Sequence, residues 1–126
     1  CMDLEPHHVG IIVGDLARSK AFYAALGFET VDEREMDDKT LSFMRLGAIQ
    51  VELFAYREPV PAAPDEGRVR GFRHLAFETP DIDAAYAELR AAGVIGEESS
   101  IRELPGGWRL LFFNDPDGVE IEIKQA

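Results

Sequence analysis

The sequence has little cysteine and no excess of positive charge, and both shortages exclude classes of protein. One cysteine, Cys1, supplies neither a disulfide framework nor a thiolate metal cage, and we assign it no chemistry. With 13 Lys and Arg against 24 Asp and Glu, the net charge is −11. An acidic surface repels nucleic acid and anionic lipid, so we expect neither as a partner. A local group of arginines can still bind a small anionic ligand.

The chain also lacks a long apolar run. No stretch reaches the ~18 residues that a membrane helix needs, and no basic segment followed by an apolar one marks a signal peptide. We therefore expect a cytoplasmic location and no membrane contact. The length of 126 residues suits one domain with a real core, and a composition that is 46% hydrophobic and 29% charged is ordinary for a globular protein.

What the chain does contain is an internal repeat. When the sequence is shifted against itself, three residue types coincide: His8 with His74, Asp15 with Asp81, and Gly27 with Gly93. Each Asp suits a helix N-cap, apolar residues at helical spacing follow it, and each Gly stands where a left-handed residue ends a helix. The pattern predicts helices over 15–26 and 81–92. Their apolar faces would carry Leu16, Ala17, Phe22 or Tyr23, and Leu26 in the first, and Ile82, Tyr86 and Leu89 in the second.

The residues around each helix predict strands. An apolar strand carrying a His opens each half, and alternating residues predict three more strands after each helix. The predicted strands are 7–13, 28–35, 39–46 and 49–56, then 72–79, about 94–103, 108–113 and 119–125. The fold class is therefore α+β, with two βαβββ modules forming a curled mixed sheet in a single domain over 1–126. Module one covers about 5–57, a linker rich in Pro, Gly and charge covers about 58–71, and module two covers about 72–125.

Four residues of metal-binding type occupy matched places in the two modules. His8 and His74 stand in the opening strands, and Glu52 and Glu122 in the last strands. Two imidazoles and two carboxylates suit one divalent metal such as Ni, Co, Zn, Mn or Fe. A lone strand Glu is usually solvated and a lone His in an apolar strand is usually a core group, but the matched set favours a metal site. His7 competes with His8, yet only His8 aligns with His74, so we interpret His7 as a flanking group.

Four segments carry a family resemblance: HHVGIIVGDLARSKAFYAALGF (7–28), VELF (51–54), FRHLAFETPDIDAAYAELRAAG (72–93) and FFNDPDGVEIEI (112–123). They resemble the vicinal oxygen chelate superfamily, which includes glyoxalase I, type I extradiol dioxygenases and bleomycin- and fosfomycin-resistance proteins. Within it, the chain is most similar to small bacterial glyoxalase I-like proteins. The resemblance lies in both modules and therefore covers essentially the whole chain.

The resemblance implies a site and a reaction. His8, Glu52, His74 and Glu122 fall on the four ligand positions of glyoxalase I, where the residue matching Glu122 also serves as the base, with Glu52 as its counterpart. The implied enzyme is a metal-dependent lyase or isomerase of the lactoylglutathione lyase type. It would act through an enediolate-type intermediate on a small α-oxo or hydroxy substrate. Relatives of this length commonly form homodimers.

Two positions depart from the glutathione-dependent pattern. Those relatives carry an Arg four residues after the first ligand and an Asn four residues after the first Glu, where this chain has Ile12 and Tyr56. An Ile cannot make the charge-assisted hydrogen bond that holds a carboxylate, a bond contributing roughly 1.5–3 kcal/mol. Glutathione is therefore not expected as the natural thiol, and we expect Tyr56 to contact a different substrate.

Two further residues are candidates for substrate binding. Arg73, together with Arg68 and Arg70, provides an alternative anion site or merely balances nearby acids. Trp108 ends the segment 96–108, whose Gly and polar content is typical of a mobile flap, and it either closes on a ligand or packs in the core.

Two alternatives to the glyoxalase-like enzyme stay open. One is a non-catalytic drug- or metabolite-binding protein of the bleomycin-resistance kind, although such relatives usually lack the metal ligands. The other is an extradiol dioxygenase, which is disfavoured because only His7 is left to assist ring chemistry. The substrate, the metal and the number of chains that supply the ligands are not determined by the sequence.

Overall fold

The computed structural model describes residues 2–63 and 68–126, so Cys1 and part of the predicted linker, residues 64–67, lie outside the described residues. Contacts divide the chain into two compact units, with the boundary between Ala62 and Ala63. Each unit contains one α-helix and one four-stranded mixed sheet. This architecture confirms the α+β class and the two βαβββ modules.

The first unit follows the predicted element order. Its elements are β1 (Val9–Ile12), α1 (Leu16–Ala25), β2 (Glu29–Glu35), β3 (Lys39–Leu46) and β4 (Ile49–Tyr56). The strands lie in the order β1-β4-β3-β2, with β1 parallel to β4 and the other neighbours antiparallel. Strand β2 ends the order, and all seven of its residues are exposed.

The second unit repeats this arrangement. Its elements are β5 (Leu75–Thr79), α2 (Ile82–Ala91), β6 (Arg102–Leu104), β7 (Trp108–Asn114) and β8 (Glu120–Gln125). The strand order is β5-β8-β7-β6, with β5 parallel to β8 and the other pairs antiparallel. In both units the strand that follows the helix therefore lies at the far edge, and the last strand lies beside the first.

Both helices begin and end where the sequence predicts. The side chain of Asp15 accepts a hydrogen bond from the backbone N–H of Arg18, and Asp81 makes the same N-cap contact in α2. Gly27 and Gly93 follow the helices with φ angles of +106° and +73°, which favour glycine because it has no Cβ. The repeat therefore predicts how each helix is capped.

The core of the first unit lies between α1 and one face of the sheet. Val51 and Leu53 of β4 are fully buried, and Tyr23 is the buried member of the Phe22–Tyr23 alternative. Ala17, predicted on the apolar face, is exposed, and the buried helix residue there is Ser19. The small side chain of Ser19 fits at this buried position against the sheet. Because serine is polar, the sequence did not predict its burial.

The core of the second unit is built in the same way. Ile82 and Leu89 of α2 are buried together with Leu111 of β7 and with Ile121 and Ile123 of β8. In β8 burial alternates from Glu120 to Ile123, because the two isoleucines are buried and the two glutamates are only partly buried. One face of the strand therefore belongs to the core, and the other carries the glutamates.

Three predicted strands are shorter than expected. The opening strands begin at Val9 and Leu75, so His8 and His74 stand directly before them. The strand predicted near 94–103 is reduced to β6, because the residues before it make local turn bonds, such as that from the Ser99 N–H to the Gly96 carbonyl. Within the described residues, no helix combines the length and the apolar character that crossing a bilayer requires.

Candidate metal centre

The first unit brings His8 and Glu52 together. Strand register places Glu52 between Gly10 of β1 and Phe43 of β3, and all three lie on the sheet face opposite the helix. His8 stands two residues before Gly10 and so reaches the same face. Its Nε2 lies 3.2 Å from Glu52 Oε1, and the Glu52 side chain is only 11% exposed. We call these two residues the first His–Glu pair.

The second unit brings His74 and Glu122 together by the same construction. Register places Glu122 between Ala76 of β5 and Phe112 of β7. His74 again stands two residues before the small residue, and its Nε2 lies 3.1 Å from Glu122 Oε2. The side chains are 28% and 16% exposed, so this second His–Glu pair is partly buried but reachable from solvent.

An aromatic ring flanks each pair. The His8 and Phe43 ring centroids are 5.5 Å apart in an edge-to-face arrangement, and those of His74 and Phe112 are 5.9 Å apart. The two units thus share a histidine, a small residue, a glutamate and a phenylalanine at corresponding register positions. Each ring limits how far its imidazole can turn away from the carboxylate.

The donor atoms of each pair fit a divalent cation. Two ligand atoms that each lie about 2.1 Å from one cation, at a right angle, are about 3.0 Å apart. The observed separations between imidazole nitrogen and carboxylate oxygen are 3.2 Å and 3.1 Å. Without a cation, the same separations suit hydrogen bonds from Nε2–H to the carboxylates. Each pair can therefore supply two adjacent ligands without rearrangement.

The structure brings the predicted ligands together as two pairs. Across residues 2–63 and 68–126, no group of three or more His, Cys, Asp and Glu side chains is arranged to hold a metal. A site that uses all four residues therefore stays a prediction.

Glu120, a partner of His74, is not among the site residues predicted from the sequence. His74 Nδ1 lies 3.2 Å from Glu120 Oε1, so one imidazole faces a carboxylate at each ring nitrogen. Strand alternation could have identified this residue, because Glu120 stands two residues before Glu122 and so projects from the same face of β8. In the first unit Gln50 holds the corresponding place, and His8 Nδ1 instead lies 2.7 Å from His7 Nδ1. The two pairs therefore have different outer partners.

Two predicted substrate-binding residues lie in the second unit. Arg73 is largely exposed, and its Nε lies 3.6 Å from Glu120 Oε1. Trp108 is 54% exposed, so core packing is the wrong alternative for it. The Lys124 ammonium lies 5.2 Å from the centre of the Trp108 ring. Part of the predicted flap 96–108 is strand β6, paired with β7.

Tyr56 lies at the end of β4 on the same sheet face as Glu52. Its ring stacks on Phe54 at 6.4 Å and lines an open depression of about 420 Å³. Asp38, in the wall of this depression, accepts a hydrogen bond from Lys39 at 3.0 Å, which holds the pKa of the carboxyl below its usual range. Lys39 also approaches the Tyr56 ring at 5.6 Å. The surroundings of Tyr56 thus carry both signs of charge.

A sequence profile described as the glyoxalase/bleomycin resistance protein/dioxygenase superfamily matches residues 5–123. The chain belongs to this superfamily. It is 43% identical over 124 residues to the uncharacterized protein YaeR of Escherichia coli K12, covering 94% of each chain. It is 32% identical over 145 residues to a 2-epi-5-epi-valiolone epimerase of Actinomyces sp., covering 93% of this chain and 76% of the epimerase. A mitochondrial methylmalonyl-CoA epimerase of Homo sapiens is 26% identical over 128 residues, covering 95% of this chain and 73% of the epimerase. A lactoylglutathione lyase of Pseudomonas aeruginosa is 38% identical over 58 residues, which is 45% of this chain and 31% of the lyase.

Solved structures of the superfamily share the fold. A glyoxalase family protein from Enterococcus faecalis matches with a TM-score of 0.82 and 32% identity, over 95% of this chain and 96% of that one. The fosfomycin resistance protein FosX from Listeria monocytogenes, solved with Mn(II) and sulfate, matches with a TM-score of 0.73 and 18% identity, over 99% and 94%. The first structure adds to the evidence for the family, and the second is a likeness of fold.

Proposed function

We propose that this chain is a metal-dependent, glyoxalase I-like lyase or isomerase that acts on a small α-oxo or hydroxy substrate. His8, Glu52, His74 and Glu122 would hold one divalent cation. The observation that carries the proposal is the matched His–Glu pair in each unit, with donor atoms 3.2 Å and 3.1 Å apart. The epimerase and lyase relatives support this class of reaction, and FosX with Mn(II) supports a divalent cation.

When bound, such a cation would supply Lewis-acid stabilisation of the negative charge that develops on the substrate oxygens, and the protein would supply the proton transfer. Glu122 is the proposed base that removes a proton from a carbon that lies beside the substrate carbonyl and itself carries the hydroxyl group, and returns that proton to the neighbouring carbon. The species between these two transfers is of the enediolate type. Glu52 is the counterpart of Glu122 in the first unit and is the second carboxylate proposed for the proton transfer.

We do not propose glutathione as a thiol component of the substrate. Ile12 stands on the same sheet face as the first His–Glu pair, paired with Phe54, and is 54% exposed. An exposed aliphatic side chain offers no hydrogen bond to a carboxylate, so the position that anchors glutathione in related enzymes is apolar here. Turnover of the methylglyoxal–glutathione adduct at a rate typical of enzymes, with a median near ~10 s⁻¹, would contradict this part of the proposal.

Metal content tests the proposal directly. Protein purified without chelator should contain close to one equivalent of Ni, Co, Zn, Mn or Fe per chain, measured by elemental analysis. Glu52→Ala should lose most of it because one ligand is gone. Glu35→Ala, at an exposed glutamate of β2, is the matched control and should keep the metal. If wild type binds none even after incubation with excess metal, a non-catalytic binding protein becomes the better account.

Turnover tests the assignment of the base. Once a substrate is found among α-oxo and hydroxy compounds, Glu122→Gln should keep the fold and most of the metal. Its kcat should nevertheless fall by about 10²- to 10⁴-fold, because an amide cannot accept the proton. Circular dichroism and metal analysis serve as controls for folding and loading. A kcat equal to that of wild type would remove Glu122 from the mechanism.

The proposed enzyme is a homodimer, as superfamily members of this length commonly are. Light scattering after size-exclusion chromatography should give twice the chain mass of 14.0 kDa, and a monomer mass would contradict the dimer without touching the metal assignment.

A further inference from the structure

The sheet face around the second His–Glu pair also carries basic side chains. Register places Leu110 of β7 between Arg102 of β6 and Lys124 of β8. Residues paired across neighbouring strands point to the same side of a sheet, so Arg102 and Lys124 share the face of Glu122. This face therefore combines the proposed base with a cation on its own strand, Lys124, and a cation two strands away, Arg102.

Arg102 reaches toward the His–Glu pair. Its guanidinium carbon lies 5.5 Å from the centre of the Phe112 ring. Phe112 is the register partner of Glu122, and its ring centroid lies 5.9 Å from that of His74. The guanidinium is thus held over the ring that flanks the proposed metal ligands, in a cation–π contact that leaves its N–H groups available.

The cations near this face differ in how they are neutralised. Lys124 Nζ lies 3.6 Å from Glu78, and Arg73 Nε lies 3.6 Å from Glu120. In the part of the chain that the structure describes, Arg102 has no carboxylate oxygen within 4.0 Å. Among residues 2–63 and 68–126, no carboxylate therefore competes at this distance with an anion that comes from outside the chain.

We infer that Arg102 binds an anionic group, a carboxylate or a phosphate, of the substrate of this site. This inference rests on the proposed function, because it places that group beside Glu122. A planar guanidinium with several N–H donors binds either oxyanion through paired hydrogen bonds. Neighbouring strands lie about 5 Å apart, so an anion over Phe112 lies roughly that far from the Glu122 strand. The substrate is therefore a short molecule, with its anionic group a few bonds from the reacting carbon.

Three small probes that share a vicinal diol test this inference. Glycerol is neutral, glycerate adds a carboxylate, and glycerol 3-phosphate adds a phosphate. Each is titrated against zinc-loaded protein by ligand-observed NMR. Arg102→Gln should weaken binding of at least one anionic probe about tenfold or more and leave glycerol unchanged. The affinity of Arg102→Lys for that probe should lie between those of wild type and Arg102→Gln, since lysine keeps the charge but lacks the paired N–H donors of the guanidinium. The probe that responds identifies the anion.

Two controls separate this inference from the proposed function. Arg90→Gln removes another guanidinium that lies over an aromatic ring, that of Tyr86 at 5.9 Å, and should leave all three affinities unchanged. Zinc affinity, measured by chelator competition, should be equal in wild type and Arg102→Gln. Equal affinities of these two proteins for both anions overturn the inference and leave the proposed function standing. If the protein binds no zinc, the same titrations are made without metal. An anion affinity that still depends on Arg102 then shows that Arg102 binds an anion, and overturns the proposed function, on which the assignment of that anion to the substrate rests.

Discussion

The imidazole of His74 faces a carboxylate at each of its nitrogens, and only one of these carboxylates, that of Glu122, is a proposed metal ligand. Glu120 lies against Nδ1 and Glu122 against Nε2. A carboxylate at Nδ1 favours the tautomer with the proton there, which leaves the Nε2 lone pair for the metal. The Nδ1 of His8 faces the imidazole of His7 instead, at 2.7 Å. The second pair is therefore better prepared to bind a cation than the first.

Removing the Glu120 carboxylate should weaken metal binding. Glu120→Ala is expected to lower zinc affinity about 10- to 100-fold, because His74 loses the carboxylate that fixes its orientation. Chelator competition measures the dissociation constant. Glu120→Gln should restore part of the affinity, since an amide oxygen still accepts from Nδ1–H. Gln50→Ala, at the corresponding place in the first unit, is the control. A zinc affinity that Glu120→Ala leaves intact would mean that His74 needs no such support.

At the scale of elements, an ion pair ties α2 to the sheet of the second unit. Arg109 of β7 donates to both carboxylate oxygens of Asp83, at 2.8 Å and 3.0 Å. The hydrogen bonds from Arg109 hold the pKa of Asp83 below its usual range. Because the folded-state pKa is lowered, the pair stabilises the fold fully above the unfolded value, about 3.9, and this contribution is lost as the pH falls through the lowered pKa.

Replacing the carboxylate should therefore remove part of the acid sensitivity. Asp83→Asn is expected to lower the melting temperature at pH 7, while at a pH below both pKa values the variant and the wild type should differ much less. Thermal unfolding followed by circular dichroism across this range measures the difference. Glu88→Gln, on the same helix, controls for the loss of one negative charge. A deficit of equal size at both pH values would show that the side chain acts through packing.

Elements with local signals could be predicted, and contacts that depend on strand register could not. Asp15 and Gly27 predict the two ends of α1, because helix capping depends on only a few neighbouring residues. The four residues of the His–Glu pairs could also be predicted, since the repeat marks their positions twice, but which His contacts which Glu is set by strand register. The contact of Arg102 with Phe112 could not be predicted, because it depends on which residues of β6 and β7 face each other, and β6 is only three residues long. Pairing over such a short strand leaves almost no sequence pattern.

At the scale of the whole molecule, the proposed site takes one His–Glu pair from each unit. A ligand that binds only the folded state stabilises it by an amount set by its concentration relative to its dissociation constant, about 2.7 kcal/mol at a hundredfold excess. If one cation uses both pairs, then a defect in either unit reduces the same stabilisation. The two units then respond to metal as one.

The stabilisation by metal can be compared in variants of each unit. Added zinc should raise the melting temperature of wild type, and both His8→Ala and His74→Ala should reduce this rise. Differential scanning calorimetry with and without chelator makes the measurement, and Glu35→Ala should behave as wild type. A rise that is lost in one histidine variant and complete in the other would assign the cation to a single unit.

The exposed strand β2 also has a consequence for the behaviour of the protein at high concentration. An edge strand offers unpaired backbone groups to which a strand of another molecule can add. Five of its seven residues, in the sequence ETVDERE, are charged, four of them negatively. A strand of a second molecule that approaches in parallel register would meet the same charges, so their repulsion opposes the stacking that starts fibrils. This resistance should fade at high salt, which screens the repulsion between exposed charges.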